Sequence, residues 1–341
     1  MPTSDLKPLD EQVIVITGAS SGIGLATARA AAREGARVVL AARNGAALAE
    51  AEAGIRGAGG EAIHVVADVA NRADVERIAR TAVERFGGFD TWVNDAGVSI
   101  WGRLEDVSDE DNRRLFDTNF WGLVNGSLVA ARHLETKGGA IINLGSVASD
   151  VALPLQGMYC ASKHAVKGFT DALRMELEDK GAPVSVTLIK PGAIDTPFPH
   201  HARNYTDREP KLPPPVYAPT EVANAILHAA VHPRRDIYVG GHAKVMSMVN
   251  RLAPRLLDWA GTQQKSSQLS SEPPRNPSGA LFRPGTDDGR IRGGHPGYVM
   301  GSSLYTRGSL HPVASSFAMG IAGLAALAFL GSGRRNRRPL R

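Results

Sequence analysis

Short apolar runs rich in β-branched residues alternate with longer Ala-rich runs from residue 12 onward, and this alternation is the strongest constraint on the fold. Parallel strands joined by crossover helices produce that order of elements. The runs at 13–17 (VIVIT) and 38–42 (VVLAA) are apolar throughout, as expected for strands covered on both faces. The sequence therefore predicts an α/β fold with a doubly wound, seven-stranded parallel sheet.

The elements of this sheet can be assigned along the chain. The predicted strands are 12–17, 37–42, 62–67, 90–94, 140–144, 184–189 and 236–239. The predicted helices are 22–34, 46–57, 72–86, 108–133, 157–180 and 220–231. Helix 108–133 opens on a capping signature, since Ser108 is followed three residues later by an acidic side chain at Asp111.

The chain of 341 residues is long enough for one large α/β domain with an appendage. We place a single catalytic domain at 10–260, and within it the Pro-rich stretch 195–219 is too irregular for regular structure and is typical of a lid. Residues 262–310 are rich in Ser, Pro, Gly and Arg and indicate a flexible or draped linker. An apolar segment at 312–333 and an Arg-rich terminus at 334–341 follow.

Composition excludes several classes of protein. The net charge is +5, but five arginines fall in the last eight residues, so the body is nearly neutral and no nucleic-acid partner is expected. A single cysteine, Cys160, excludes an intramolecular disulfide and a multi-cysteine metal site. Neither His200 nor His201 has a third ligand at helical spacing, so no metal is expected. The amino terminus does not have the pattern of a secretory signal.

A glycine-rich loop joins the first strand to the first helix. It reads Thr17-Gly18-Ala19-Ser20-Ser21-Gly22-Ile23-Gly24. Backbone N–H groups and the dipole of a helix amino terminus bind phosphate, and the glycines let a pyrophosphate approach closely. Because a strand precedes this loop and a helix follows it, the loop predicts a dinucleotide site of the Rossmann type, with Gly18, Ser20, Ser21, Gly22, Ile23 and Gly24 as cofactor-binding residues.

The ends of the next strands complete the predicted cofactor site. The second strand ends on Arg43, and no carboxylate is present to bind a free ribose 2′-hydroxyl. Arg43 can instead pair with a 2′-phosphate, so NADP(H) is the preferred cofactor and NAD(H) the alternative. Asp68 and Val69 end the third strand, near the adenine, and the stretch Asn94-Asp95-Ala96-Gly97 ends the fourth, from which we assign Asn94, Ala96 and Gly97 to the cofactor.

Three side chains have the chemistry for proton transfer to a carbonyl oxygen. Tyr159 and Lys163 lie four residues apart on one predicted helix and share a face, and Ser146 follows the fifth strand. A neighbouring ammonium and a cationic nicotinamide would lower the Tyr159 pKa by about 3 units, which takes roughly 4 kcal/mol. Tyr159 is then a usable acid and base near neutral pH, with Ser146 hydrogen-bonded to the substrate oxygen.

Taken together, the Thr-Gly-x-x-x-Gly-x-Gly loop, Asn94-Asp-Ala-Gly97, Ser146, the Tyr-x-x-x-Lys pair and Pro191-Gly192 resemble the short-chain dehydrogenase/reductase family over residues 10–260. The resemblance implies catalytic roles for Asn119, Ser146, Tyr159 and Lys163, with Asn119 holding a water that relays protons. It also implies that Tyr159 and Lys163 contact the cofactor, with Lys163 on the nicotinamide ribose, and that Pro191, Gly192 and Thr196 flank the nicotinamide.

The resemblance further implies a homodimer or homotetramer formed through helices 108–133 and 157–180. Asp95 departs from the family pattern, where a second Asn or Ala is more common, and we expect little consequence. The predicted function is interconversion of a ketone and a secondary alcohol, and an apolar substrate such as a sterol, retinoid or acyl-chain compound is favoured. A catalytically silent NADP(H)-sensing protein of the same fold is the alternative.

The apolar segment 312–333 contains 18 consecutive apolar or small residues from Val313 to Leu330, close to the length of one membrane span. Its richness in Ala, Gly and Ser leaves a buried or partner-packed helix as an alternative, and a span would carry the terminal arginines across the bilayer. A helix that lies in the membrane surface at the cytoplasmic side would keep these arginines near the lipid head groups, without carrying them across. We therefore expect membrane association through residues 312–341, without deciding between a span and a surface helix.

Overall fold

Seven parallel strands form one sheet, as predicted, in the spatial order β7-β6-β5-β4-β1-β2-β3. The structure is a computed structural model, and it describes residues 6–264, 268–285 and 288–310. The strands are β1 Val13–Thr17, β2 Arg37–Ala42, β3 Ala62–Val66, β4 Thr91–Asn94, β5 Gly139–Leu144, β6 Val184–Pro191 and β7 Asp236–Val239. The strand order reverses between β1 and β4, which opens a crevice beyond the carboxyl ends of these two strands.

Helices cover both faces of the sheet, which confirms the predicted doubly wound fold. They are α1 Gly22–Arg33, α2 Gly45–Gly57, α3 Arg72–Phe86, α4 Asp109–Phe116, α5 Gly122–Leu134, α6 Gly157–Asp179, α7 Phe198–His201, α8 Pro219–Val231, α9 Gly241–Leu252, α10 Pro254–Gln264 and α11 Leu304–Leu310. The single helix predicted at 108–133 is broken by a π-helical segment, Asp117–Trp121, between α4 and α5. Helices α9, α10 and α11 have no counterpart in the sequence prediction.

The core lies in two layers, one on each face of the sheet. Successive residues of β1 point to opposite faces, so Ile14 and Ile16 pack in one layer while Val13 and Val15 pack in the other. Residues of α1 and α8 cover the first layer, and residues of α3, α5 and α6 cover the second. Burial on both faces is the physical reason why these strands are apolar without alternation.

The predicted lid, 195–219, contains more regular structure than its prolines indicate. It includes the helical turn α7 and residues of two short strands, Arg203–Asn204 and Val216–Tyr217, which pair with Ile100–Trp101 and Ala193–Ile194. The expectation of a wholly irregular segment was therefore wrong. Proline is tolerated here because it stands at the first turn of α7 and between the short strands, where no sheet ladder needs its missing N–H.

The residues after α10 pack on the body in the part of the chain that the structure describes. Helix α11 lies against β7, and the two-residue strand Val299–Met300 pairs with Val216–Tyr217. The apolar segment 312–333 and the terminus 334–341 lie outside the described residues, so membrane association through them stays a prediction. Within 6–264, 268–285 and 288–310, no helix is both long and apolar enough to cross a bilayer.

A tight contact between α5 and β4 gives a prediction on stability. A Cβ on Gly126 would lie 2.1 Å from Asn94 Oδ1 and 2.8 Å from Trp92 Nε1, two atoms that hydrogen-bond to each other. Gly126→Ala must therefore push α5 away from the sheet, and we expect a loss of at least about 2 kcal/mol in the free energy of unfolding. Chemical denaturation with a linear-extrapolation analysis measures this change.

Gly168→Ala is the matched control, because Gly168 is an exposed position within α6 where an added Cβ meets nothing within 4 Å. Ala is the better helix former, so this variant should gain about 0.5–1 kcal/mol. Equal unfolding midpoints for the two variants would show that the α5–β4 contact can relax without cost.

Candidate active site

The glycine-rich loop lies in the crevice beyond β1, where it turns into α1. Gly18 and Gly22 have positive φ angles of 74° and 54°, which L side chains rarely adopt. A Cβ on Gly24 would stand 2.3 Å from the Gly18 carbonyl oxygen, so α1 can approach the loop only because this residue is glycine. Ser21 precedes α1 without capping it through its side chain. Amide groups at this helix terminus are therefore suited to bind an anionic pyrophosphate.

One cavity of about 520 Å³ runs along the crevice, within the usual range for ligand sites. Sixteen of the predicted site residues line it. They are Gly18, Ser20, Ser21, Gly22, Ile23, Arg43, Asp68, Val69, Ala96, Gly97, Ser146, Tyr159, Lys163, Pro191, Gly192 and Thr196. The carboxyl ends of β1, β2, β4, β5 and β6 bring these distant residues together.

Three predicted site residues do not line the cavity. Gly24 is at the contact between α1 and the loop. Asn94 is buried, and its amide donates to Ser127 Oγ and Asn143 Oδ1, at 3.0 and 2.8 Å, which ties β4 to α5 and β5. Asn119 lies in the π-helical segment between α4 and α5. Its side chain accepts a hydrogen bond from the Val98 N–H and donates one to the Val98 carbonyl.

Ser146, Tyr159 and Lys163 meet at the middle of the cavity. Ser146 follows β5, and its hydroxyl lies near enough to Tyr159 to lower the pKa of the phenol. The Lys163 ammonium lies 5.9 Å from the centre of the Tyr159 ring and donates to the Leu144 carbonyl at 2.7 Å. All three side chains are buried, so the charge of Lys163, or of Tyr159 when it ionises, acts strongly on its neighbours.

Burial dominates the electrostatics of this group. It raises the pKa of Tyr159 above its ordinary value, more than the hydrogen bond from Ser146 lowers it. Burial also lowers the pKa of Lys163 to about 8 and raises that of Asp95 to about 7. The sequence predicts a lowered Tyr159 pKa only with a cationic nicotinamide beside the phenol; in the protein alone, desolvation of the phenolate is the larger effect.

Asp95 has more influence on the site than the sequence analysis expected. Its carboxyl group lies beside the Gly24 backbone and acts through space on Lys163, whose pKa it raises. An Asn or Ala at this position carries no charge and could not raise the Lys163 pKa in this way. The sequence did not reveal this coupling because Asp95 follows β4 and Lys163 lies on α6, far apart in the chain.

Several cavity residues were missed by sequence reasoning. His242 stands at the start of α9 against Gly192, with its pKa lowered by burial. Among the residues that the structure describes, neither His242 Nδ1 nor the buried Trp101 Nε1 has a hydrogen-bond partner. Proximity to the carboxyl end of β7 could have indicated His242. No local signal indicated Trp101, whose position depends on the pairing of Ile100–Trp101 with Arg203–Asn204.

The end of the cavity at Arg43 and Asp68 is formed partly by the carboxyl-terminal segment. Arg43 donates to the carbonyls of Ala280 and Leu281, at 2.5 and 3.0 Å. Asp68 pairs with Arg114 at 2.5 Å. Among the described residues, no cluster of three His, Cys, Asp or Glu side chains could hold a metal ion.

Comparison with known proteins matches this architecture. The family model for short chain dehydrogenase covers residues 12–206. The oxidoreductase YxnA of Bacillus subtilis (strain 168) is 48% identical over 328 residues, covering 95% of this chain and 91% of that protein. The 11-beta-hydroxysteroid dehydrogenase A of Sesamum indicum is 32% identical, over 73% of this chain and 74% of its own. The solved structure of a short chain dehydrogenase/reductase from Burkholderia phymatum in complex with NAD superimposes with a TM-score of 0.67 at 30% identity, covering 74% of this chain and 96% of the other.

Proposed function

The chain belongs to the short-chain dehydrogenase family, and from this premise we propose that it is an NADP(H)-dependent oxidoreductase that interconverts an apolar ketone and its secondary alcohol. The observation that carries the proposal is the meeting of Ser146, Tyr159 and Lys163 in the cavity that the glycine-rich loop also lines. A dinucleotide extending from the loop would bring its nicotinamide to this group. A protein that only sensed the cofactor would have no chemical need for a buried Tyr–Lys pair.

The bound nicotinamide would supply the hydride in carbonyl reduction and accept it in alcohol oxidation. Tyr159 protonates the substrate oxygen in the reductive direction and removes the hydroxyl proton in the other. Ser146 holds the same oxygen by a hydrogen bond. The charge of Lys163 stabilises the phenolate, and its ammonium would also bind the nicotinamide ribose of the cofactor.

Asn119 has a supporting role in this proposal. Its side chain is fully engaged with Val98 and Ser162, so the water that relays protons to Lys163 would bind to the Asn119 backbone. The π-helical segment Asp117–Trp121 supports this role, because a π-turn disturbs the regular helical hydrogen bonds and frees backbone groups for function.

The substrate class follows from the wall of the cavity beyond Tyr159. The apolar lining residues there are Trp101, Val151, Leu153, Phe198, Leu212, Met246 and Leu257. Phe198 packs on the Tyr159 ring at 5.6 Å between centroids and is part of the predicted lid. This lining favours a bulky apolar alcohol or ketone, a class that includes the substrates named for the sesame hydroxysteroid dehydrogenase.

Assay of the full chain with NADPH over ketones of graded apolarity tests the proposal through loss of NADPH absorbance. Turnover that rises with apolarity is the expected result. Tight NADPH binding without turnover of any ketone or alcohol in the series would favour the silent sensor instead.

Arg43 carries the proposed preference for NADP(H). Arg43→Ala should reduce the ratio of kcat/KM for NADPH to that for NADH by about 10- to 100-fold, since hydrogen bonds to charged groups contribute about 1.5–3 kcal/mol. The ratio is the informative quantity, because Arg43 also donates hydrogen bonds to the Ala280 and Leu281 carbonyls. Loss of these two bonds would affect the rates with both cofactors. Arg56→Ala, an exposed arginine on α2 paired with Glu52, is the control. An unchanged ratio would remove Arg43 from cofactor selection.

Exposed apolar side chains support the proposed association of copies through α5 and α6. Trp121, beside α5, is 52% exposed and Met175 on α6 is 61% exposed. Apolar exposure of this kind is typical of surfaces that become covered in an oligomer. A monomeric mass by light scattering at micromolar concentration would contradict this assignment.

A further inference from the structure

The part of the chain beyond α10 crosses the mouth of the cofactor cavity. We call its two described stretches, 276–285 and 288–295, the strap. Ala280, Pro284, Gly285 and Asp288 of the strap line the same cavity as the glycine-rich loop. Gly18, Ile23, Asp68 and Val69 line the same cavity, so the strap and the predicted cofactor-binding residues share one site.

The strap is attached to the adenosine side of the cavity at three places. Arg43 and Arg114 donate to the Leu281 carbonyl, at 3.0 and 3.1 Å. Asn44 donates to the Asp288 carboxylate at 2.9 Å. The Gly289 N–H donates to the Ser20 carbonyl at 2.7 Å, and the Arg290 carbonyl accepts from the Gly22 N–H at 2.9 Å. These contacts therefore involve the residues after β2, helix α4 and the glycine-rich loop.

The strap is also attached to the lid on the other side of the cavity. The Ala280 N–H donates to the His201 carbonyl at 2.7 Å, and the His295 N–H donates to the Asp195 carboxylate at 3.0 Å. Leu281 is 1% exposed and packs in the apolar cluster that contains Tyr159. The strap thus bridges the lid and the loop, with one buried side chain as its anchor.

We propose that the strap is a second layer of the cofactor site, which retains the dinucleotide and makes its release depend on displacement of the strap. This inference rests on the proposed function, because it takes the ligand of the cavity to be NADP(H). A ligand beneath a covered mouth leaves only when the cover opens, and such opening steps commonly limit the rate of release. The Burkholderia structure matches only 74% of this chain, whereas the match to YxnA covers 95% and so includes the strap.

The experiment measures NADPH dissociation from the full chain, by stopped-flow displacement with excess NADP⁺. Gly289 has a φ of +89° and its Cβ would meet only the end of Glu50 at 3.8 Å, so Gly289→Val strains the strap without pushing on the body. We expect dissociation to be about tenfold faster, the factor that corresponds to the cost of a left-handed non-glycine residue. Gly301→Val is the matched control, since a Cβ there meets nothing within 4 Å and its φ is not positive.

Three results would overturn the inference. Equal dissociation rates for wild type, Gly289→Val and Gly301→Val would show that the strap does not limit release. Faster association and tighter NADPH binding in Gly289→Val, without faster dissociation, would show that the strap competes with the cofactor. Absence of NADPH binding to the wild type would overturn the proposed function itself, which distinguishes that failure from the other two.

A second measurement needs no variant. Trypsin can cut after Arg290 and Arg292, two exposed strap residues. If the strap closes on the dinucleotide, saturating NADP⁺ should slow these two cuts at least about fivefold in the wild type, because cleavage requires local opening. Equal cleavage rates with and without NADP⁺ would contradict closure on the cofactor.

Discussion

Tyr159→Phe should lose about 10²- to 10⁴-fold in kcat for ketone reduction while it binds NADPH as tightly as the wild type. The substitution removes the only hydroxyl that the proposed mechanism uses to protonate the substrate oxygen, and it keeps the ring that packs on Phe198. The dinucleotide contacts of the loop and strand ends remain. Steady-state kinetics together with NADPH fluorescence titration measure the two quantities separately.

Tyr298→Phe is the control for this experiment. Tyr298 is 84% exposed and lies outside the cavity lining, so its loss of a hydroxyl should leave kcat unchanged. Retained turnover in Tyr159→Phe would require another proton donor. Ser146 is the candidate that the structure offers, because its hydroxyl lies near Tyr159 and lines the same cavity.

Lys163→Met should lower kcat/KM by about 10³-fold, because the mutant lacks the charge needed for the roughly 4 kcal/mol of phenolate stabilisation. The wild type should also show a pH limit that the mutant lacks. Burial lowers the pKa of Lys163 to about 8, so the side chain is cationic below that pH and loses its charge as pH rises through it. We therefore expect kcat/KM for NADPH, which reports the free enzyme, to fall above about pH 8.

Two controls assign this pH limit. Lys180→Met removes a surface lysine that follows α6 and pairs with Glu135, and it should change neither the rate nor the profile. Asp95→Asn removes the negative charge that raises the Lys163 pKa, so it should move the limit to lower pH. If kcat/KM of Lys163→Met still falls above the same pH, an ionisable group other than Lys163 causes the fall.

Much of the cofactor site was predictable because its signals are local. The glycine-rich loop, Arg43 and Asp68 each stand immediately after a strand, and parallel strands bring their carboxyl ends to one edge whatever the rest of the chain does. The Tyr159 and Lys163 pair depends only on helical spacing. Such features need no knowledge of which distant residues meet.

Local patterns in the sequence were enough to predict the sheet, its two-sided burial and the positions of the loop and the Tyr–Lys pair, because periodicity, glycine and helical spacing act within a few residues. The folded structure was needed to show that Asp95 lies close enough to Lys163 to raise its pKa, and that the Asn94 amide points toward α5. It was also needed to show that residues 276–285 and 288–295 bridge the lid and the loop. Those arrangements depend on backbone hydrogen bonds and desolvation between segments far apart in the chain, and neither effect leaves a pattern in the local sequence.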